Sequence, residues 1–220
     1  MDLVYLLSQV KHLSKIGEHS FSAAGEDVLM RLYLPENRGK YLDIGAGHPT
    51  HGSNSFFFYK LGWHGICVEP VKAMVFLRDL VRRRDLNMRA VISNENGEIV
   101  FYQFNPTEYS TISESRYQEM LKLGMRERKT YKIHAVKLEE IIDNVTPAEP
   151  YFLSVDVEGY DLEILKQLVN LKSRPRVVCV EETGSNKESI KSLLESLGYI
   201  VKHTIGNNGI YVHQVYLQIM

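Results

Sequence analysis

Four short apolar runs, at 40–44, 64–68, 151–155 and 176–180, alternate along the chain with stretches of helical spacing. Each run is strand-length, and each intervening stretch is long enough to cross back over a sheet. Such alternation is satisfied by a parallel α/β sheet whose strands are covered by helices on both faces. Helices are expected at 25–34, where Pro35 ends the pattern, and at 53–61, 71–84, 138–143, 161–169 and 187–197. A further helix is expected at 3–14.

Three segments depart from the alternation. Runs at 90–92 and 99–102 flank Asn94-Glu95-Asn96-Gly97, a turn signal that reads as a hairpin. Residues 105–130 are polar and charge-dense, without a core stripe, as expected of a substrate lid or of a solvated helix. The last two runs, 199–204 and 210–219, are joined by Gly206-Asn207-Asn208-Gly209 and read as an antiparallel pair. An antiparallel closing pair separates this chain from a plain doubly wound nucleotide-binding sheet.

A length of 220 residues suits one domain, 1–220, with 1–38 as a helical cover and 105–130 as an insertion. Hydrophobic residues make up 44% and charged residues 24%, which excludes a disordered, collagen-like or membrane-spanning chain. The net charge of −1 provides no bulk attraction to a polyanion, so neither nucleic acid nor a membrane is expected as a partner. Cys67 and Cys179 sit within apolar runs and read as buried, unpaired thiols. With no leader-like segment, a reducing cytoplasm is the expected location.

Chemistry is concentrated where strands end. Asp43-Ile44-Gly45-Ala46-Gly47-His48-Pro49 turns sharply at the carboxyl end of a strand, the ligand-binding edge of open α/β sheets. Glu69, followed by Pro70, ends the next strand 22 residues after Gly47, where a carboxylate can accept from both hydroxyls of a ribose. A dinucleotide fingerprint requires a third glycine at the position held by Thr50, so the pyrophosphate seat is missing. A helix that starts later, near Asn54, leaves room for an amino-acid tail, which fits S-adenosylmethionine (SAM); Asp43 is suited to order the turn and to lie near the ammonium. Asp156 and Glu158 leave a later strand and can orient or deprotonate an acceptor hydroxyl, although Glu158 and Asp161 could equally cap the following helix. Asp156, Glu181 and Glu182 form a candidate oxygen site for Mg²⁺, or else a solvated loop. His48 and His51 flank the turn, and His51 is a candidate base. Phe56-Phe57-Phe58-Tyr59 reads as helix packing, and Arg82-Arg83-Arg84 as a solvated helix end.

Asp43-Ile44-Gly45-Ala46-Gly47, Ser53-Asn54-Ser55, Gly62-Trp63-His64-Gly65-Ile66-Cys67-Val68-Glu69-Pro70 and Asp156-Val157-Glu158-Gly159-Tyr160-Asp161 together resemble the FkbM-type SAM-dependent methyltransferases. Residues 22–27 resemble that family's N-terminal block, with Ala23 where Gln is usual. The resemblance implies a class I Rossmann-like methyltransferase sheet of seven strands with a reversed last strand. It also implies methyl transfer to a hydroxyl of a sugar, a glycan or a secondary metabolite. Residue by residue, it implies Asp43, Gly45, Ala46 and Gly47 around the methionine part of SAM, Glu69 and Pro70 at the ribose, and Ala90 and Val91 near the adenine. Asn54 and Asp156 are counted with the cofactor site, and Asp156, Glu158 and His51 are the catalytic candidates. A SAM-binding scaffold without turnover and a nicotinamide oxidoreductase are the alternatives.

Overall fold

A computed structural model describes residues 20–145, 152–171, 173–183 and 186–217. The helix expected at 3–14, and with it half of the expected N-terminal cover, lies outside the described residues. The central sheet is built from β1 (Lys40–Ile44), β2 (His64–Val68), β3 (Leu86–Met88), β7 (Phe152–Val155), β8 (Val177–Glu181), β9 (Tyr199–Ile205) and β10 (Asn208–His213). Their order is β3-β2-β1-β7-β8-β10-β9, parallel except for β10, which runs antiparallel to both its neighbours. This is the class I methyltransferase sheet with its reversed last strand. The chain builds outward from β1 to β3 and then returns to the other side of β1 at β7. The switch point between β1 and β7 is the crevice in which open α/β sheets bind ligands.

The strands are buried on both faces, and their side chains divide by the period of two. On one face Leu42, Ile44, Ile66, Val68, Leu153, Val155, Val178 and Val180 pack under α5 (Leu138–Val145), α6 (Asp161–Lys166) and α7 (Asn186–Ser196). On the other, Tyr41, Cys67, Phe152, Val177 and Cys179 pack against α1 (Glu26–Arg31), α2 (Phe56–Lys60) and Trp63. Cys67 and Cys179 are free and buried, as expected. Phe57 and Phe58 of the aromatic run are core, also as expected.

The next helix, α3 (Lys72–Val81), is turned opposite to its apolar pattern. Phe76 and Leu80 are exposed, while Arg78 and Arg82 are buried completely. Arg82 therefore is not part of a solvated helix end. Its guanidinium pairs with Asp85 at 2.8 Å and donates to the Tyr41 hydroxyl at 2.6 Å and to Ser55 Oγ at 2.9 Å. A planar, always charged fork that meets a carboxylate and two hydroxyls can be buried where an unpaired charge could not. Arg83 and Arg84 are exposed as expected.

The expected hairpin is also corrected. β4 (Val91–Ile92) does not pair with β5 (Gly97–Asn105); both pair with β6 (Arg126–Val136), in the order β4-β6-β5. Residues 105–130 are not one loop either. They supply the end of β5, a 3₁₀ turn (Thr107–Tyr109), α4 (Glu114–Lys122) and the start of β6. This small sheet closes on its own core of Val71, Val91, Phe101, Ile133 and Ala135, seated beside the mouth of the crevice. The closing strand β10 stops at His213, and the chain continues as a short helix, α8 (Gln214–Leu217), where a strand to residue 219 is expected.

Candidate functional site

At the carboxyl edge of β1, the amides of Gly45 and Ala46 both donate to the Val68 carbonyl, which folds the turn across the end of β2. Gly45 has φ +76, and a Cβ there would lie 1.7 Å from the Asp156 carbonyl oxygen. Its glycine is thus required by the close approach of the β7 end. Gly47 has φ +54, and a Cβ there would make only an ordinary contact, 3.9 Å from the Gly45 carbonyl oxygen. The Gly47 amide donates to Glu69 Oε2 at 2.8 Å, and the Val71 amide donates to Oε1 at 2.7 Å. Two backbone donors thus hold the Glu69 carboxylate in one orientation. Burial raises its pKa, and the two amide hydrogen bonds oppose that rise.

Asp43 and Arg78 lie beneath the turn. Asp43 is buried, accepts from the Ser55 hydroxyl and sits 3.7 Å from the Arg78 guanidinium. Arg78 donates to the carbonyls of Ala46 at 2.6 Å, Gly47 at 3.2 Å and His48 at 3.3 Å. Those carbonyls are drawn inward, so the turn is stapled from below. Asp43 orders the turn in this way, and it does not line the cavity above it. Asn54 also stays off the cavity, donating to Ser154 Oγ at 3.0 Å.

Above the turn lies a cavity of about 580 Å³, within the range of small-molecule pockets. Gly45 to His48, Glu69 and Pro70 form its floor; Ala90, Val91, Ile92, Met74 and Phe101 form an apolar wall. The opposite side is closed by Asp156, Val157 and Glu158 and by Thr107, Glu108 and Ser110 to Ile112. His48 and His51 stand at the rim with their Nδ1 atoms 3.4 Å apart. The His48 ring accepts from the backbone amides of Thr50 and His51, each at 3.2 Å, and burial lowers its pKa, with His51 and Arg78 adding to the effect.

Three carboxylates meet at the β7 and β8 ends. Asp156, Glu158 and Glu181 each offer an oxygen within 4.8 Å of the others. The expected trio of Asp156, Glu181 and Glu182 is corrected at its third member. Glu182 is buried the other way, accepting from the Tyr211 hydroxyl with Lys187 at 3.8 Å. Asp156 is open to the cleft yet ringed by protein, so desolvation and then the charges of Glu181, Asp161 and Glu158 raise its pKa well above the ordinary carboxylate value. Burial, followed by Glu158 and Asp161, pushes Glu181 up to about 7. Asp156 and Glu181 therefore both hold their protons to higher pH than ordinary carboxyls do. Asp161 accepts from the amides of Val157 at 3.1 Å and Gly159 at 3.0 Å and so ties down the preceding loop; the helix it opens has no side-chain cap, which departs from the capping alternative. Glu158 does not cap. Its carboxylate accepts from Arg116 at 2.8 Å, and its backbone has φ +55, the one positive φ outside glycine among the described residues.

Of the residues singled out from sequence, Gly45, Ala46, Gly47, His51, Glu69, Pro70, Ala90, Val91, Asp156 and Glu158 line one cavity. Sequence reasoning missed Arg78 and the contacts made by Ser55, Thr111 and Arg116. A faint signal existed for the first: Arg78 and Arg82 are four residues apart, hence on one helical face.

A family model described as the methyltransferase FkbM domain matches residues 43–201. No curated protein matches the sequence. Among solved structures, a methyltransferase FkbM from Methylobacillus flagellatus KT aligns with TM-score 0.53 and 14% identity over 96% of this chain and 55% of that one. This chain thus spans about half the length of that protein. An O-methyltransferase from Bacillus cereus in complex with SAH aligns with TM-score 0.47 and 12% identity, over 96% and 90%. A TehB-like SAM-dependent methyltransferase from Corynebacterium glutamicum ATCC 13032 Kitasato aligns with TM-score 0.45 and 9% identity, over 96% and 97%.

Proposed function

The chain belongs to the FkbM methyltransferase family, and from that premise we propose that it transfers a methyl group from SAM to a hydroxyl of a sugar, a glycan or a secondary metabolite. The observation that supports this reading best is the single cavity that joins the stapled glycine turn, the fixed carboxylate of Glu69 and the Asp156 cluster. The donor chemistry suits the cofactor. Glu69, held by two amides, keeps lone pairs for both ribose hydroxyls, since each carboxylate oxygen can accept more than once. Ala90, Val91 and Pro70 offer apolar surface to the adenine, and Gly45 to Gly47 leave backbone room for the methionine tail.

SAM, when bound, supplies a methyl group already activated by its sulfonium. What the chain must add is position and a proton acceptor. Asp156 faces the cavity from the end of β7 and takes the acceptor's proton as the carbon–oxygen bond forms. A carboxyl raised well above its ordinary value is better matched to that task than an unshifted one. His51, exposed at the rim, is the second candidate base. The oxygens of Asp156, Glu158 and Glu181 also have the chemistry for Mg²⁺. Glu158 is already engaged by Arg116, however, and we read Asp156 and Glu181 as sharing protons.

The reading is tested by transfer of labelled methyl from SAM to cell-derived glycans and small polar metabolites, with and without EDTA. Incorporation that persists in EDTA is expected. No incorporation into either pool, together with no SAM binding by calorimetry, overturns the assignment.

A further inference from the structure

The segment after β5 touches the loop after β7 through Glu158 twice. Thr111, itself buried, donates its hydroxyl to the Glu158 carbonyl at 2.8 Å. Arg116, on α4, donates to the Glu158 carboxylate at 2.8 Å and to Glu119 at 2.9 Å. The stem of Arg116 also lies over Gly159, where a Cβ would approach to 3.3 Å, so the two backbones pack closely. Both grips are anchored. Thr111 forms a two-bond bridge with Tyr102 of β5, its amide donating at 3.0 Å and its carbonyl accepting at 2.9 Å, and Ser113 caps α4 by accepting from the Arg116 amide. Glu158 meanwhile holds its left-handed backbone, a conformation that persists only where surroundings over-determine it. Thr107, Glu108, Ser110 to Ile112 and Asp156 to Glu158 together line the side of the cavity that these bonds hold shut.

We propose that Arg116 is a positioning residue: with Thr111 it latches the 105–130 segment onto Glu158 and so holds the cavity closed over its contents. It acts through Glu158 and touches no reacting atom. The latch is a property of the chain itself, whereas its effect on cofactor exchange rests on the methyltransferase reading.

Two measurements on the full chain decide it. Hydrogen exchange without ligand compares wild type with R116A, R116K and E119A. Amides of 107–113 and 156–160 are expected to exchange about tenfold faster in R116A, with most of the protection recovered in R116K and no change in E119A, which removes only the outer partner of Arg116. The second follows dissociation of S-adenosylhomocysteine (SAH) by surface plasmon resonance, expected about tenfold faster in R116A and partly restored in R116K. Exchange in R116A within about twofold of wild type, or equal acceleration across the central sheet, overturns the latch. Unlatched exchange with an unchanged SAH dissociation rate overturns its role in closing the cavity. If wild type binds no SAH, the methyltransferase reading fails and the exchange comparison still decides the latch.

Discussion

A carboxylate at a strand end is defined by what donates to it. Glu69 receives two backbone amides, Asp161 two, and Glu158 a guanidinium, whereas Asp156 has four neighbouring acids and the open cleft. This difference separates binding, capping and positioning groups from the one left to move a proton. Asp156→Asn is expected to lower turnover at least about a hundredfold, as for loss of a general base, with SAH affinity changed far less. Activity should fall on the acid side as Asp156 gains its proton. Stability has the opposite sign. Glu181, at about 7, and Asp161, pushed up to about 6 by burial, bind protons more tightly in the folded chain than in the unfolded one. Their contribution is complete below the unfolded carboxylate values and is lost as pH rises through about 6 to 7. Thermal unfolding from pH 5 to 8 is therefore expected to show a shallower fall in E181Q than in wild type. At this scale much was legible: Glu69, Gly45, Gly47 and Asp156 stand out because strand ends and turns announce themselves locally. Arg78 and Arg116 did not, because their partners are backbone carbonyls and a carboxylate far away in sequence.

Elements were legible where burial follows apolar periodicity, as in β1, β2, β7 and β8. β3 was missed because Leu86-Asn87-Met88 is a short edge strand lacking β-branched residues. The pairing of β4 and β5 was misread because Asn96-Gly97 signals a turn without saying that β6 intervenes. The buried face of α3 was not legible because the partners of Arg78 and Arg82, turn carbonyls, hydroxyls and the carboxylates of Asp43 and Asp85, come from other segments. Two expectations follow for that helix. Arg78→Met leaves Asp43 without its ion-pair partner and three turn carbonyls without their donor, and should reduce stability by about 3–5 kcal/mol in urea unfolding. Leu80→Lys, on the exposed face, should change it by less than about 0.5 kcal/mol. The reverse ranking would mean that α3 packs by its apolar face.

For the whole molecule, the topological switch between β1 and β7 accounts for where the site lies, and the small β4-β6-β5 sheet accounts for how its mouth is walled. The first was legible from the alternation of strands and helices; the second was not, since its core combines residues from 71 to 135 that show no common period. The central claim is that the cavity above the glycine turn is a SAM site with Glu69 as its ribose acceptor. Calorimetric titration of SAH into wild type and E69A tests it most directly. One site per chain is predicted in wild type, with affinity at least about tenfold weaker in E69A, as expected for loss of hydrogen bonds to a charged group. Equal affinity in the two proteins, or no binding of SAH by wild type at high micromolar concentration, would contradict the account.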